Sequence, residues 1–348
     1  MPTVLDSEKE ISRLDPKEML GAVERFPEFI STQLQVWPLI RKITRHPVFR
    51  NIVLMGMGGS ASAGDLVLDW LEDKISVPAI VLRDPALPRF VGSDTLFVAL
   101  SYSGETRETL AAFREARKRG STLMTIGTGG KLQELSEELG VPFLGVRPAP
   151  APRAALGQMV VASALALNSC GIIQDPKSEI ELAARELGRL RNRIQRQVPL
   201  TKNPAKRLAA SLEGRLPAIY AFRRMGSVAR RFKNQLAENS KMVAKCALLP
   251  EAGHNEVEAW FNQRFPLAPV FIRDHSESDF ERAVFESFRS AITRAARVTP
   301  AQLRLKAGTR LAGLLLPVLY SDFVSVYLAL LRGLDPADTP WIRVYRKE

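Results

Sequence analysis

Ser101, Ser103 and Thr106 fall within the stretch Ser101-Tyr102-Ser103-Gly104-Glu105-Thr106-Arg107-Glu108-Thr109, where a short apolar run meets a helical pattern. Capping a helix takes one hydroxyl. Three hydroxyls with free backbone N–H groups match the several oxygens of a single phosphate monoester. A second junction of the same kind, Met55-Gly56-Met57-Gly58-Gly59-Ser60-Ala61-Ser62-Ala63-Gly64-Asp65, puts Gly58, Gly59 and Ser60 where another helix begins. Helix N-termini favour anions, and glycine lets an anion come close to the main chain. That stretch also satisfies a dinucleotide pattern through Gly56, Gly58 and Ala61, with Asp84 at the end of the next strand in the place of a ribose-binding acid. A dinucleotide-dependent oxidoreductase is therefore a rival reading of this motif, but it leaves the other hydroxyl-rich loop unexplained.

Three further residues could move protons or steady charge. Arg153 follows Pro148, Pro150 and Pro152 and opens a helical pattern, where a cation meets the positive end of the helix dipole and calls for an anion nearby. Glu238, near the end of a basic helix, reads by itself as a solvated acid. His254 reads as either a structural imidazole or one that gives and takes a proton near neutral pH. His46, His254 and His275 have no close spacing to one another or to a cysteine, so the pattern supplies no metal site. Cys170 and Cys246 form no Cys-x-x-Cys and imply neither a disulfide framework nor zinc.

These residues need a scaffold. Asp15-Pro16 reads as an N-cap and first helical residue of a leading helical segment that Pro27 interrupts and Pro38 ends. Strands are then expected at Asn51–Gly56, Pro78–Leu82, Thr95–Leu100, Thr122–Ile126 and Pro142–Val146, separated by helical patterns at Ala61–Asp73, Glu105–Arg119 and Lys131–Leu139. This alternation predicts an α/β fold with a mainly parallel, doubly wound sheet. A long apolar helix, Arg153–Cys170, closes the first half. After a charged helix at Glu179–Gln197 the rhythm returns, with strands at Ala218–Phe222, Ala244–Leu249, Val270–Arg273 and Gln302–Lys306 and a helix at Val228–Asn239. Gly226-Ser227 follows the first strand of this half as Gly59-Ser60 follows that of the other, a faint internal repeat. Two domains of one fold are expected, residues 1–174 with a leading helix and residues 175–348.

Ala154–Ile173 is the one stretch this reading finds long and uncharged enough for a membrane span. Gln158, Ser163, Asn168 and Ser169 interrupt it, and a buried core helix explains it better. With a charged start at Met1–Leu14 in place of an apolar signal, the expectation is a cytoplasmic protein without a membrane partner. The net charge of +12 suits either an anionic small substrate or nucleic acid. The basic run from Arg185 through Lys233 reads as a solvated helix face, since few aromatics interleave for base stacking, and nucleic acid is not the expected partner.

Gly58-Gly59-Ser60 and Ser101-Tyr102-Ser103-Gly104-Glu105-Thr106 resemble the two phosphate-contact segments of the sugar-isomerase (SIS) domain. Pro152-Arg153-Ala154-Ala155-Leu156, Glu238-Asn239-Ser240-Lys241 and Leu249-Pro250-Glu251-Ala252-Gly253-His254-Asn255-Glu256 resemble, more narrowly, the bifunctional phosphoglucose/phosphomannose isomerases of archaea and bacteria. The resemblance covers most of the chain in the family's order. It implies two SIS domains with flavodoxin-like sheets and a metal-free, cofactor-free aldose-ketose isomerase acting on hexose 6-phosphates. In it Gly58, Gly59, Ser60, Ser101, Ser103 and Thr106 hold the phosphate, Glu238 is the base, His254 opens the ring and Arg153 faces the enediolate. Thr339, in Asp338-Thr339-Pro340, matches the segment linked to accepting mannose 6-phosphate, and it also reads as an ordinary N-cap. Where the family places a lysine near the sugar, this chain reads Val344-Tyr345-Arg346-Lys347, so Arg346 or Lys347 stands in that role. The resemblance further implies a homodimer whose histidines enter the neighbouring subunit's site. A rival within the same fold is a non-catalytic sugar-phosphate sensor, which would keep the cradle but lack Glu238 and His254.

Overall fold

The apolar runs read as strands pair side by side, all in parallel, into two sheets. In a computed structural model that describes residues 4–35 and 48–346, the chain falls into two units. One consists of residues 25–184, and the other joins the first 24 residues to residues 185–348. Pro38 and His46 lie outside the described residues.

The chain opens with α1 (Glu8–Leu14), α2 (Met19–Glu24) and α3 (Phe26–Leu34). Asp15, expected as an N-cap ahead of Pro16, is instead the C-cap residue of α1, whose own N-cap is Ser7. Its carboxylate caps the next helix, accepting the N–H groups of Met19 at 2.8 Å and Leu20 at 2.7 Å. A single acid thus ends one helix and begins another. Pro27 sits in the first turn of α3, where its missing N–H leaves no helix hydrogen bond unmade.

In the unit of residues 25–184, β1 (Asn51–Gly56), α4 (Gly58–Leu71), β2 (Ala79–Leu82), β3 (Thr95–Leu100), α5 (Arg107–Lys118), β4 (Thr122–Gly127), α6 (Gly130–Glu138) and β5 (Phe143–Gly145) build a sheet of order β2-β1-β3-β4-β5. This is the doubly wound, flavodoxin-like order. β3 is buried throughout and β1 from Ile52 onward, which is why both read as unbroken apolar runs. The next helix, α7 (Leu156–Ser169), packs against α3 and α4 and is buried at every position except Asn168. It starts later than expected, because Arg153 lies in a 3-10 turn, Pro152–Ala155, ahead of it.

The change of unit falls within α8 (Lys177–Ile194). Beyond it come α9 (Pro204–Leu212), β6 (Leu216–Phe222), α10 (Gly226–Glu238), β7 (Lys245–Leu249), β8 (Leu267–Arg273), α11 (Asp279–Ala296), β9 (Ala301–Arg304), α12 (Arg310–Leu331) and α13 (Pro340–Arg346). The second sheet has the order β7-β6-β8-β9. Its core gathers around Tyr220, with the Phe288 ring centroid 4.8 Å away and the Trp260 indole N–H donating to the Tyr220 hydroxyl at 3.1 Å.

Two expectations change here. Ala154–Ile173 yields a helix of only 14 residues, too short for a span of about 20. Among the described residues, the helix that is long and apolar enough is α12, with 22 residues. Pro317 and Asp322 disguised it in the sequence, but Leu311–Leu330 is buried within its unit. The first 24 residues also pack with residues 185–348 rather than ahead of the first sheet. Leu5, Met19 and Leu20 are buried there, and the wholly buried Lys206 donates to the carbonyls of Leu5 at 2.6 Å and Arg196 at 2.8 Å. Its third partner is the Asp6 carboxylate at 3.1 Å.

Asp322 explains how so apolar a helix is fixed in orientation. Its carboxylate receives a two-pronged guanidinium from Arg231 on α10, at 2.8 and 3.2 Å, and both side chains are buried. Removing one partner of a buried pair leaves the other charge uncompensated. Asp322→Ala is expected to lower unfolding stability by about 3 to 5 kcal/mol in chemical denaturation. A loss no larger than that of an exposed ion pair would show that the pair does not anchor α12.

Candidate active site

In the first sheet, β1 leads through α4 to β2 on one side, and β3 leads through α5 to β4 on the other. The winding therefore changes direction between β1 and β3, and ligands of such sheets bind beyond the carboxyl ends of the strands at that place. Both hydroxyl-rich stretches lie there. Met57, at the N-cap position of α4, and Thr106, at that of α5, make no side-chain cap hydrogen bond. Two positive helix ends are thus left for another acceptor. The capping explanation for the hydroxyls fails at Thr106, whose oxygen instead accepts from the Ser101 hydroxyl at 3.0 Å.

The two loops touch. The Tyr102 N–H donates to the Ser60 hydroxyl at 3.2 Å. The loop Thr128-Gly129-Gly130-Lys131, after β4, braces them from behind. The Thr128 hydroxyl and N–H donate to the Tyr102 carbonyl at 2.7 and 2.8 Å. The Glu105 carboxylate, held below its ordinary pKa range by the Lys131 N–H and ammonium, accepts that N–H at 2.9 Å. Gly104 adopts a φ of +72°, and a Cβ there would collide with the Gly129 carbonyl oxygen, so this close approach requires glycine. Ser60 and Ser101 are buried, Thr106 is half-buried, and Ser103 and Gly58 are exposed.

Arg153 joins this group. A Cβ on Gly59 would stand 3.6 Å from the Arg153 Cα and from the Pro152 carbonyl, so the first turn of α4 packs against the backbone that carries Arg153. The Arg153 side chain is buried. One unit therefore brings Gly58, Gly59, Ser60, Ser101, Ser103, Thr106 and Arg153 to one end of one sheet. The carboxylate of Asp84, the acid that a bound ribose would require, accepts the Ala86 N–H at 2.8 Å through one of its oxygens.

The unit of residues 1–24 and 185–348 carries Glu238 and His254, and its topology keeps them apart. Glu238 is the last residue of α10, which runs back from the carboxyl end of β6, and it is half-buried. The helix end is fixed by α12. The Asn239 amide donates to the Ser325 hydroxyl at 2.9 Å, and the Ser240 hydroxyl donates to the Ser325 carbonyl at 2.7 Å. Lys241, at a φ of +52°, donates to the carbonyls of Asn239 and Asp335. From there β7 runs the full height of the sheet and delivers the exposed His254 in a 3-10 turn, Glu251–His254, at the opposite end. The five residues of β7 span about 16 Å at roughly 3.3 Å per residue.

The second sheet differs at the place that matches the hydroxyl-rich loops. Gly226-Ser227 opens α10 as Gly59-Ser60 opens α4. The loop after β8, however, holds Asp274 where the first sheet holds Ser101. Burial alone would raise the pKa of Asp274, but the Ser276 N–H and hydroxyl and the Arg310 guanidinium hold it below its ordinary range. A carboxylate in that position repels a phosphate. Thr339 is half-buried just ahead of α13, Arg346 is exposed at the helix end, and Lys347 lies outside the described residues. The bracing residues Thr128, Ser325 and Asp322 escaped the sequence reading. The glycine pair Gly129-Gly130 after a strand was the one local signal that pointed to any of them.

Residues 49–139 match the SIS domain family, and residues 201–348 match the family described as bacterial phospho-glucose isomerase C-terminal SIS domain. The chain is 32% identical over 333 residues to a bifunctional phosphoglucose/phosphomannose isomerase of Caldicellulosiruptor bescii, covering 95% of this chain and 98% of that one. A protein of the same name from Aquifex aeolicus is 33% identical over 302 residues, covering 86% of this chain and 90% of that one. A hypothetical protein from Thermus thermophilus shares the fold with a TM-score of 0.73 at 17% identity, over 98% of this chain and 92% of that one.

Proposed function

The chain belongs to the bifunctional phosphoglucose/phosphomannose isomerase family, and from that premise we propose that it interconverts glucose 6-phosphate and mannose 6-phosphate with fructose 6-phosphate through a cis-enediol. The observation that carries this reading is the pair of uncapped helix ends, with three hydroxyls between them, at the turning point of the first sheet. Such an arrangement suits one compact dianion and is more than a helix cap requires.

Each residue has one task. Ser60, Ser101, Ser103 and Thr106, with the N–H groups of Gly58 and Gly59, grip the phosphate. His254 gives a proton to the ring oxygen as the sugar opens. Glu238 takes the proton from C2 of the aldose while the carbonyl oxygen O1 gains one, giving the enediol, and then returns its proton to C1 while O2 loses its own, leaving the carbonyl at C2. Arg153 offsets the negative charge that develops on the enediol oxygens, which a preorganised cation does better than water. Glucose 6-phosphate and mannose 6-phosphate give the same enediol, so one base serves both if the C2–C3 bond can rotate. Thr339 and either Arg346 or Lys347 contact the sugar in this scheme.

We take the working form to be a homodimer in the cytoplasm. Within a single chain, Glu238 and His254 lie at opposite ends of the second sheet, so a histidine from a second copy serves the site more readily than the chain's own. A coupled assay on fructose 6-phosphate, glucose 6-phosphate and mannose 6-phosphate, run with a chelator, tests the proposal. Isomerisation of all three at an undiminished rate is expected. Absence of activity on every one, with the protein folded, would overturn it.

A further inference from the structure

The segment Arg147-Pro148-Ala149-Pro150-Ala151-Pro152 leads into Arg153 with no regular secondary structure of its own until the 3-10 turn begins. Three prolines deprive it of donors, so it cannot hold itself in place through a ladder of backbone hydrogen bonds. Pro148 and Pro150 are exposed, whereas Ala149 between them is half-buried. Both backbone groups of Ala149 go to one side-chain atom. The Tyr102 hydroxyl accepts the Ala149 N–H at 2.7 Å and donates to the Ala149 carbonyl at 3.0 Å.

Tyr102 is also the residue through which the phosphate loops meet. Its N–H goes to Ser60, and its carbonyl receives Thr128 twice. We propose that Tyr102 is a positioning residue that sets Arg153 in register with the phosphate cradle, its phenol tethering the proline-rich segment four residues ahead of the arginine. The idea rests on the isomerase reading above for what Arg153 does, but the tether itself does not. A phenol suits this position better than a longer flexible side chain, because its ring fixes the distance between the loop and the segment and leaves only two torsions to order. Gln158, which donates to the Arg147 carbonyl at 3.3 Å, holds the upstream end, so the tether governs the stretch between Arg147 and Arg153.

The test uses the full chain with Tyr102→Phe, which removes one oxygen and keeps the ring. The expected result is a kcat for fructose 6-phosphate lowered by about 10- to 100-fold, the scale for a catalytic group displaced by an ångström or less, with KM within about threefold. A residue that merely stabilised the fold would instead reduce the active fraction, leaving the kcat of the folded enzyme unmoved. In the Arg153→Ala background the same substitution is expected to add no further loss, because residues that act through one another are not additive. Tyr102→Phe with wild-type kcat, or with an undiminished additional effect in the Arg153→Ala background, would overturn the proposal. Amide exchange gives a readout that needs no substrate. The Ala149 amide, which the phenol holds, should exchange faster in Tyr102→Phe, and unchanged exchange would refute the tether. Faster exchange beside an Arg153→Ala variant of full activity would leave the tether standing and refute the role given to Arg153.

Discussion

Glu238→Gln is expected to lower kcat for fructose 6-phosphate by about 10²- to 10⁴-fold, the range for losing a general base, while leaving the Kd for that sugar phosphate within about twofold. Glutamine keeps the shape and a hydrogen-bonding tip but cannot take a proton from carbon. The fold should tolerate it. The end of α10 is fixed by Asn239, Ser240 and Lys241 through α12 and the Asp335 carbonyl. Affinity should persist because the hydroxyls and helix ends to which the proposal gives the phosphate belong to the other sheet. Exchange of substrate hydrogen with deuterated solvent separates the roles, since only the base mediates it. Undiminished exchange in the variant would move the base to another residue.

The second large effect comes from mixing two inactive proteins. Glu238→Gln and His254→Ala homodimers should each be nearly inactive, yet after denaturation and joint refolding the mixture should recover about a quarter of wild-type activity. Half of a random mixture is heterodimer, and each heterodimer then holds one site with an intact glutamate from one chain and an intact histidine from the other. The expectation follows from β7, whose length separates His254 from Glu238 within a chain. No recovery, with heterodimers demonstrated by differential tagging, would return the histidine to its own chain's site.

Much of the scaffold was legible because its central strands are buried on both faces. Asn51–Gly56 and Thr95–Leu100 appear in the structure with the ends expected of them, since an unbroken apolar run between turn residues leaves little freedom. The hydroxyl loops were legible for a related reason. Three hydroxyls in six residues exceed what a cap uses, and the Ser101 to Thr106 hydrogen bond shows where one of them goes instead. α12 was missed because Pro317 and Asp322 break the pattern of a core helix, and only a partner 91 residues away, Arg231, makes a buried aspartate tolerable. Asp15 does cap a helix start, as expected, but that helix begins at Met19 and not at Pro16, and the same residue also closes α1, which the Asp15-Pro16 pair does not announce. Tyr102 stood in plain view within its motif, but its partner at Ala149 is 47 residues away, and nothing in the proline-rich segment announces what will hold it.

The pairing of the first 24 residues with residues 185–348 has a consequence for how the protein comes off the ribosome. Leu5 emerges early, but the ammonium that donates to its carbonyl belongs to Lys206, 201 residues later, and α12, on which α2 packs, comes later still. Translation therefore completes residues 25–184 first, and that unit is free to fold while the opening helices wait without their partners. A nick near residue 184 would release the halves unequally. The downstream fragment would lack Leu5, Met19 and Leu20 from its interior, whereas the upstream one would keep a whole sheet and trail an orphaned leader.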